Sequence, residues 1–222
     1  MATNKHTSVW LIIPQTNLHV GNESVVNFTV IDKAIQRDVT TGIPCINSSS
    51  LKGAIKEFMT HKQCDKIKEI FGSTKKDKND SQKGSAVFFD ATLLAIPEQI
   101  TGGNSCYRLV HNKKIVDSFI AKALALGIEN IKYENIKSKI GVEVEKRFNE
   151  LCEDDNLPII ARNCLENGES TNLWYEQVLP SQSVLATIIE GPGELEEALD
   201  GKIVQIGANA TIGYGYCKFI KL

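Results

Sequence analysis

The chain has 222 residues, 42% of them hydrophobic, and its 25 lysines and arginines against 27 aspartates and glutamates leave a formal net charge of −2. This composition excludes collagen, coiled coils and intrinsic disorder, and the length fits one elaborated domain. No apolar run approaches the ~20 residues of a membrane-spanning helix, and the first residues lack the apolar stretch of a secretory signal. We therefore expect a cytoplasmic protein with no membrane partner.

The first half of the chain combines β-like runs with one clear helix. Runs rich in β-branched and aromatic residues predict strands over 8–18, 24–31 and 86–96, with a polar loop over 32–42 and a short extended segment over 43–46. Apolar residues recur at helical spacing from Ser48 to Met59, and the serines at its start are typical N-cap residues. A short helix over 66–71 and a polar loop over 72–84 follow.

The second half is predicted to alternate strands and helices. We expect a helix over 116–127, a strand or a helix over 141–148, a β-hairpin over 162–175, a strand over 183–190, a helix over 194–199, and strands over 202–206 and 216–221. Asn167-Gly168 is a strong signal for the hairpin turn. Together these elements predict an α+β fold, in which a sheet carries helices on one side.

The helix start from Ser48 to Gly53 has the chemistry of an anion site. Unpaired N–H groups and the helix dipole favour a phosphate there, Lys52 adds a full charge, and Gly53 permits close approach. The same residues also suit an ordinary serine cap. Residues 52–83 and 101–140 each carry a charge balance of +4, which permits nucleic-acid binding but is equally typical of solvated helix faces.

Two further features are candidates for function. Gly207, Gly213 and Gly215 lie in a loop between two strands, where they can seat a phosphate or make a tight connection. Asp32 lies at a strand-to-loop junction beside Lys33 and is the candidate reactive carboxylate; a salt-bridged or turn aspartate is the alternative. The dispersed cysteines and histidines show no spacing of a metal site or disulfide scaffold, and no two-acid or Ser-His-Asp arrangement is recognisable.

The order of the motifs resembles one protein family. The motifs are His19-Val-Gly21, Asp32 with Ile35-Gln-Arg37, Ser49-Ser-Leu-Lys-Gly53, Leu173-Trp-Tyr-Glu176 and Gly213-Tyr-Gly-Tyr216. Their order is similar to that in the RAMP superfamily of CRISPR systems, and most similar to the backbone subunit of the type III-B Cmr effector complex. The glycine loop departs from that pattern at Ala208-Asn209-Ala210.

The resemblance implies a fold and an activity. The fold would be a single RAMP domain over 1–222, built as a modified RNA-recognition-motif (ferredoxin-like) sheet with a thumb hairpin inserted at about 150–180. Several copies would stack along a CRISPR guide RNA with other Cmr-complex subunits and cleave complementary single-stranded target RNA at regular intervals, using a divalent metal ion such as Mg²⁺ or Mn²⁺. The alternatives are a non-catalytic guide-binding filament subunit and a stand-alone ribonuclease that processes CRISPR transcripts.

The resemblance also assigns residues. Asp32 matches the catalytic aspartate, and His19 matches a weaker helper for which a structural hydrogen-bonding role is the alternative. The RNA-binding candidates are Gln36, Arg37, Ser49, Ser50, Lys52, Gly53, Lys56, Arg162, Gly213 and Gly215. No set of metal ligands is implied.

Overall fold

The computed structural model of the chain describes residues 5–21, 31–73 and 81–222. The predicted strand over 24–31, apart from its last residue, and the middle of the loop over 72–84 lie outside the described residues. No helix in the described part of the chain is long and apolar enough to cross a membrane.

The described residues form one main sheet, a separate hairpin and six helices. The main sheet contains β1 (Lys5–Pro14), β2 (Cys45–Ile46), β3 (Val87–Phe88), β4 (Ala91–Gln99), β5 (Tyr107–His111), β6 (Val142–Glu143), β9 (Val184–Pro192), β10 (Ile203–Gln205) and β11 (Tyr216–Lys221). The hairpin consists of β7 (Ile159–Glu166) and β8 (Glu169–Gln177). The helices are α1 (Ser48–His61), α2 (Ile67–Phe71), α3 (Lys113–Ala125), α4 (Tyr133–Ile140), α5 (Glu145–Leu151) and α6 (Gly193–Leu199).

The strand order of the main sheet is β10-β11-β1-β9-β4-β5-β6, with β2 paired to β4 and β3 to β9. All of these pairs are antiparallel except β5 with β6. Strand β1 lies inside the sheet, between β11 and β9, and from Ser8 onward it is largely buried on both faces. Trp10 and Ile12 belong to one hydrophobic cluster, whereas Val9 and Leu11 belong to another, as the alternation of side chains along a strand requires.

Helices cover both faces of the sheet. Helices α1, α5 and α6 pack on the cluster that contains Trp10, and α3 and α4 pack on the cluster that contains Val9. The predicted α+β class is confirmed, but the expectation of helices on one side is wrong. The reason is that α3 and α4 each bury apolar residues of their own, which need a sheet face to cover them.

Helix α1 begins at Ser48 as predicted, but its capping differs from the prediction. The N-cap residue is Asn47, whose side chain makes no capping hydrogen bond. The N–H of Ser48 instead donates to Asp90 Oδ1 at 2.5 Å, from the break between β3 and β4. The predicted serine cap is therefore wrong, because a carboxylate distant in sequence supplies the acceptor and the serines form the first helical turn.

Strands β7 and β8 form a hairpin that turns at Asn167-Gly168, as predicted. Both turn residues have positive φ, 53° and 87°. A two-residue type I′ turn needs this conformation at both positions, and Asn-Gly adopts it readily. The side chains from Asn163 to Leu173 are all exposed. A two-stranded hairpin is at best marginally stable alone, so its position depends on the contacts at its base.

Candidate nucleic-acid interface and cleavage site

The candidate carboxylate, Asp32, is exposed and is held by the second strand of the hairpin. The N–H of Tyr175 donates to Asp32 Oδ2 at 2.7 Å. The N–H groups of Asp32 and Lys33 both lie 3.1 Å from the Tyr175 carbonyl oxygen, and the Gln177 N–H donates to the Lys33 carbonyl at 2.9 Å. Among the described residues, Asp32 Oδ1 accepts no hydrogen bond.

The next residue of β8, Glu176, is the centre of a buried polar cluster that sequence analysis did not identify. Its side chain is 1% exposed. Glu176 Oε1 accepts from Lys33 Nζ at 3.1 Å and from Trp174 Nε1 at 2.8 Å. Glu176 Oε2 accepts from Asn209 Nδ2 at 2.7 Å and lies 3.8 Å from Arg162 Nη1. One carboxylate thus joins the Asp32 segment, both hairpin strands and the glycine loop.

The Glu176 carboxylate is ionised at neutral pH despite its burial. Burial alone raises the pKa of Glu176, but the hydrogen bonds donated by Trp174, Lys33 and Asn209 outweigh it and leave the pKa below its usual 4.5. A buried carboxylate is tolerated only when it is well paired. Two of its partners, Lys33 and Asn209, are 143 and 33 residues away in sequence, so the pairing could not be predicted from spacing.

His19 lies buried behind this cluster, with 3% of its surface exposed. Its Nδ1 is 2.7 Å from the Gln177 carbonyl oxygen, and its own carbonyl accepts from the Ala208 N–H at 2.9 Å. The glycine loop approaches so closely that a Cβ at Gly207 would lie 2.2 Å from the His19 carbonyl oxygen. His19 therefore contacts β8 through its ring and the glycine loop through its backbone carbonyl, and the engaged ring nitrogen favours the structural role over the catalytic one.

Gln36 connects the Asp32 segment to the start of α1. Its Nε2 donates to the Gly21 carbonyl at 3.2 Å and to Ser50 Oγ at 3.0 Å, and its Oε1 accepts from the Asn47 N–H at 2.8 Å. Both polar atoms of the amide are engaged within the chain. Gln36 thus positions the first turn of α1 and has no polar atom left over for RNA.

The guanidinium of Arg37 is also used inside the chain. Nη1 donates to the carbonyls of Gly42 and Cys152 at 2.7 Å each, and Nη2 lies 2.7 Å from Asp154 Oδ1. Arg37 thereby ties the loop after Asp32 to the segment that precedes the hairpin. This arrangement indicates a structural role and leaves little of the guanidinium for a phosphate.

The exposed face of α1 is the part of the predicted interface that stays open. Ser49 and Gly53 are exposed, Lys52 and Lys56 are half-buried, and neither lysine has an ion-pair partner within residues 5–21, 31–73 and 81–222. A Cβ at Gly53 would meet no atom within 4 Å. A glycine inside a helix lowers stability by about 0.5–1 kcal/mol relative to alanine. Because packing within the chain does not require glycine here, its presence favours close approach by a ligand.

A groove of 290 Å³ lies between three of the sequence motifs, with Gly21, Ser50 and Gly207 among its lining residues. It joins the end of the first motif, the start of α1 and the glycine loop, three segments that are distant in sequence. The structure therefore brings these motifs together as one surface.

Arg162 takes part in the Glu176 cluster. Its guanidinium carbon lies 5.9 Å from the centre of the Trp174 ring and 6.0 Å from that of Tyr214. This position between two aromatic rings and a buried carboxylate holds the hairpin base against the glycine loop. Arg162 is partly exposed there, with 23% of its side chain accessible.

The two predicted glycines of the loop have different roles. Gly215 has φ 77°, and a Cβ there would lie 1.9 Å from the Ile206 carbonyl oxygen, so the fold itself requires glycine. Gly213 has φ 84°, but a Cβ there would meet nothing within 4 Å. Of these two, Gly213 is the one at which a ligand could approach the backbone.

The α+β sheet carries an exposed carboxylate, a basic helix start and a glycine loop, a combination that suits a protein that binds nucleic acid. Comparison with known proteins identifies its family. A family model described as the RAMP superfamily matches residues 12–218. The chain therefore belongs to the RAMP superfamily, as the order of its motifs predicts.

Several of the similar proteins belong to Cmr systems. The chain is 26% identical, over an alignment 273 positions long, to the CRISPR system Cmr endoribonuclease Cmr4 of Pyrococcus furiosus. The alignment covers 91% of each protein. Its structure is similar to a chain of the type III-B Cmr-beta complex bound to cognate target RNA (TM-score 0.78, 20% identity, 97% of each chain). It is also similar to oligomeric Cmr4 from Pyrococcus furiosus (TM-score 0.70, 19% identity, 97% of each chain). These structures share its fold.

Proposed function

We propose that the chain is the guide-RNA-binding backbone subunit of a type III-B CRISPR ribonucleoprotein that cleaves complementary target RNA at regular intervals. The observation that carries this proposal is the exposed Asp32 carboxylate, locked to the hairpin base near the open start of α1. The relative at 26% identity is named an endoribonuclease, and one structural neighbour is a Cmr-complex chain bound to target RNA. The partners would be guide RNA, target RNA, further copies of the chain and other Cmr subunits, in the cytoplasm.

We also infer a modified RNA-recognition fold. The support is the strand order β11-β1-β9-β4, with α1 following β1 and α6 following β9, and both helices on one face. This is the arrangement of a βαββαβ unit. RNA-recognition motifs stack bases on the opposite face of the sheet, but α3 and α4 cover that face here. RNA would therefore bind at strand ends and loops, where Asp32 and the start of α1 lie.

Cleavage would use the nucleophile that RNA itself carries. The 2′-hydroxyl can attack the adjacent phosphate when the sugar–phosphate is held in line and a base accepts the proton. Asp32 is suited to that role because its Oδ2 is fixed by the Tyr175 N–H while Oδ1 accepts no hydrogen bond from the described residues. The hydrogen bonds from the Asp32 segment to β8 hold the carboxylate in one place without any deep pocket.

The residues present fit a hard divalent cation held chiefly by RNA and water. The described residues contain no group of three or more His, Cys, Asp or Glu side chains that could hold a metal ion. Both oxygens of Glu176 are engaged, and Asp32 Oδ1 is the proton acceptor proposed above. Mg²⁺ keeps several of its waters and commonly binds substrate phosphates, so Mg²⁺ or Mn²⁺ would be held by RNA phosphates and waters, and the ion would neutralise phosphate charge.

We expect Lys52→Ala to weaken guide-RNA binding about equally for all sequences, because phosphate contacts carry no sequence information. The slope of log affinity against log salt should fall in magnitude by about one. Lys139→Ala is the matched control, since Lys139 is an exposed lysine on α4, on the opposite face of the sheet. Fluorescence anisotropy with labelled guide RNA at several salt concentrations measures both; an unchanged slope for Lys52→Ala would refute its place in the interface.

Shortening the hairpin should alter where target RNA is cut, if β7–β8 is the thumb. Replacing residues 163–173 with a two-residue Asn-Gly turn removes only exposed side chains and keeps the base at Arg162 and Trp174. We expect the fold and guide binding to persist and the regular interval between cleavage products to be lost. An unchanged ladder of products on a denaturing gel would mean that the hairpin does not set the spacing.

A further inference from the structure

Lys33 follows the candidate catalytic carboxylate, Asp32, directly in the chain. Both the backbone and the side chain of Lys33 are held in place. Its N–H and carbonyl are bonded to Tyr175 and Gln177 of β8. Its Nζ lies 3.1 Å from Glu176 Oε1 and 5.2 Å from the centre of the Trp174 ring. The same three-residue stretch of β8 that holds Asp32 therefore also holds the Lys33 ammonium.

The Lys33 ammonium is nevertheless presented to solvent. Its side chain is 53% exposed, whereas the other two cations of the site, Arg37 and Arg162, are 20% and 23% exposed. An ammonium has three N–H donors, and Glu176 takes one of them. Lys33 is thus a pre-oriented surface cation with donors left for a ligand.

The chemistry at Asp32 calls for such a cation. Attack by a 2′-hydroxyl places negative charge on the non-bridging oxygens of the phosphate, and fixed donors aimed at that charge are often the largest catalytic contribution. Asp32 itself is an anion and repels the phosphate. A positive group on the adjacent residue, where it reaches the phosphate, offsets that repulsion and favours the transition state more than the ground state.

We propose that Lys33 contacts the scissile phosphate of the target RNA and stabilises the charge that develops there, with Glu176 and Trp174 as its positioning residues. This inference rests on the proposed function. In the step, the bond from the 2′-oxygen to phosphorus forms and the bond from phosphorus to the 5′-oxygen breaks. The 2′-proton passes to Asp32 and the departing 5′-oxygen takes a proton from water. Lys33 stays protonated throughout.

The test compares Lys33→Met, which keeps an unbranched apolar side chain against Trp174, with Lys33→Arg, which keeps the charge. In single-turnover assays of the assembled complex at saturating target, we expect Lys33→Met to cleave about 10²–10³-fold more slowly, the usual effect of losing one such donor. Lys33→Arg should keep most of the rate. Target affinity should change little in either variant. Lys33→Met should lower the thermal midpoint, because Glu176 loses one of its hydrogen-bond donors, so both variants are assayed well below their midpoints. Lys139→Ala is the control for removing one surface charge.

A second measurement separates contact with phosphate from a purely structural role. Sulfur in place of one non-bridging oxygen at the cleavage site, in separated stereoisomers, should slow the wild type with one isomer and should slow Lys33→Met much less with that isomer. Wild-type cleavage by Lys33→Met, or an undiminished sulfur effect in it, would overturn the inference. Asp32→Asn separates failure of this inference from failure of the proposed cleavage chemistry. A fully active Asp32→Asn ends the catalytic assignment on which the inference rests, whereas an inactive Asp32→Asn beside an active Lys33→Met refutes only the role of Lys33.

Discussion

Complexes carrying Asp32→Ala or Asp32→Asn should bind guide and target RNA and cleave the target about 10²–10⁴-fold more slowly, the scale for loss of a proton-transfer group. The alanine variant also removes the acceptor of the Tyr175 N–H. The asparagine variant keeps an oxygen for that hydrogen bond and removes only the charge. Binding should persist or tighten slightly, since a negative charge beside the RNA is lost. Single-turnover cleavage of labelled complementary RNA, with and without Mg²⁺, measures the effect.

Asp155→Asn is the matched control, because Asp155 is an exposed aspartate in the segment before the hairpin. We expect it to cleave at the wild-type rate. Full cleavage by the Asp32→Asn complex would end the catalytic assignment and leave a non-catalytic filament subunit as the better description.

His19→Ala should cost less activity than loss of the Asp32 charge. The ring is buried and bonded to the Gln177 carbonyl, so its removal should act by loosening the contact between the His19 segment and β8. A drop in the thermal midpoint that matches the drop in rate would fit this role. A stable His19→Ala protein that is as inactive as Asp32→Asn would instead make His19 catalytic.

The elements that sequence analysis predicted well are those specified by local chemistry. Helix α1 has a clear apolar period, Asn167-Gly168 specifies its turn, and α6 and β11 follow strong breakers. The helix predicted over 116–127 is observed as α3, but β5 and α4 were not predicted, because tertiary contacts define them. Helix α4 is anchored by His111, whose Nε2 lies 2.7 Å from the Tyr133 hydroxyl, and a Cβ at Gly141 would lie 2.1 Å from the Leu109 carbonyl oxygen.

The candidate site shows the same division between local and long-range information. Residue type and motif order selected Asp32 and the open face of α1. They also selected Gln36, whose amide atoms bond within the chain, and Arg37, whose Nη1 donates to two backbone carbonyls. The sequence does not distinguish a polar side chain that binds RNA from one that only positions the RNA-binding surface. The distinction depends on which carbonyls and carboxylates the fold places opposite that side chain.

Glu176 is the clearest case of such a positioning residue, and Glu176→Gln should strongly lower the free energy of unfolding. The change leaves Arg162 and Lys33 without their counter-charge at the hairpin base. Removing one member of a buried ion pair typically costs about 3–5 kcal/mol, and the exposure of Lys33 places the expected cost near 3 kcal/mol. For a chain of this size that corresponds to a fall of roughly 10 °C in the thermal midpoint.

Glu169→Gln is the matched control, since Glu169 is exposed at the hairpin tip directly opposite Glu166. Losing one of two like charges across a strand pair should be neutral or slightly stabilising. A Glu176→Gln protein that melts together with the wild type would show that the Glu176 cluster does not hold the hairpin base.

The pH dependence gives the Glu176 prediction its sharpest form. Hydrogen bonds hold the pKa of Glu176 in the folded chain below the usual 4.5, so the carboxylate contributes stability above that pH. As the pH falls below about 4.5, the unfolded chain takes up a proton at this residue before the folded chain does, and the contribution is lost. The difference in unfolding free energy between wild type and Glu176→Gln should therefore be constant near neutral pH and shrink as the pH falls through this window. Urea unfolding of both proteins between pH 7 and pH 3 measures it, and a difference that stayed constant over the whole range would mean that ionised Glu176 is not what stabilises the site.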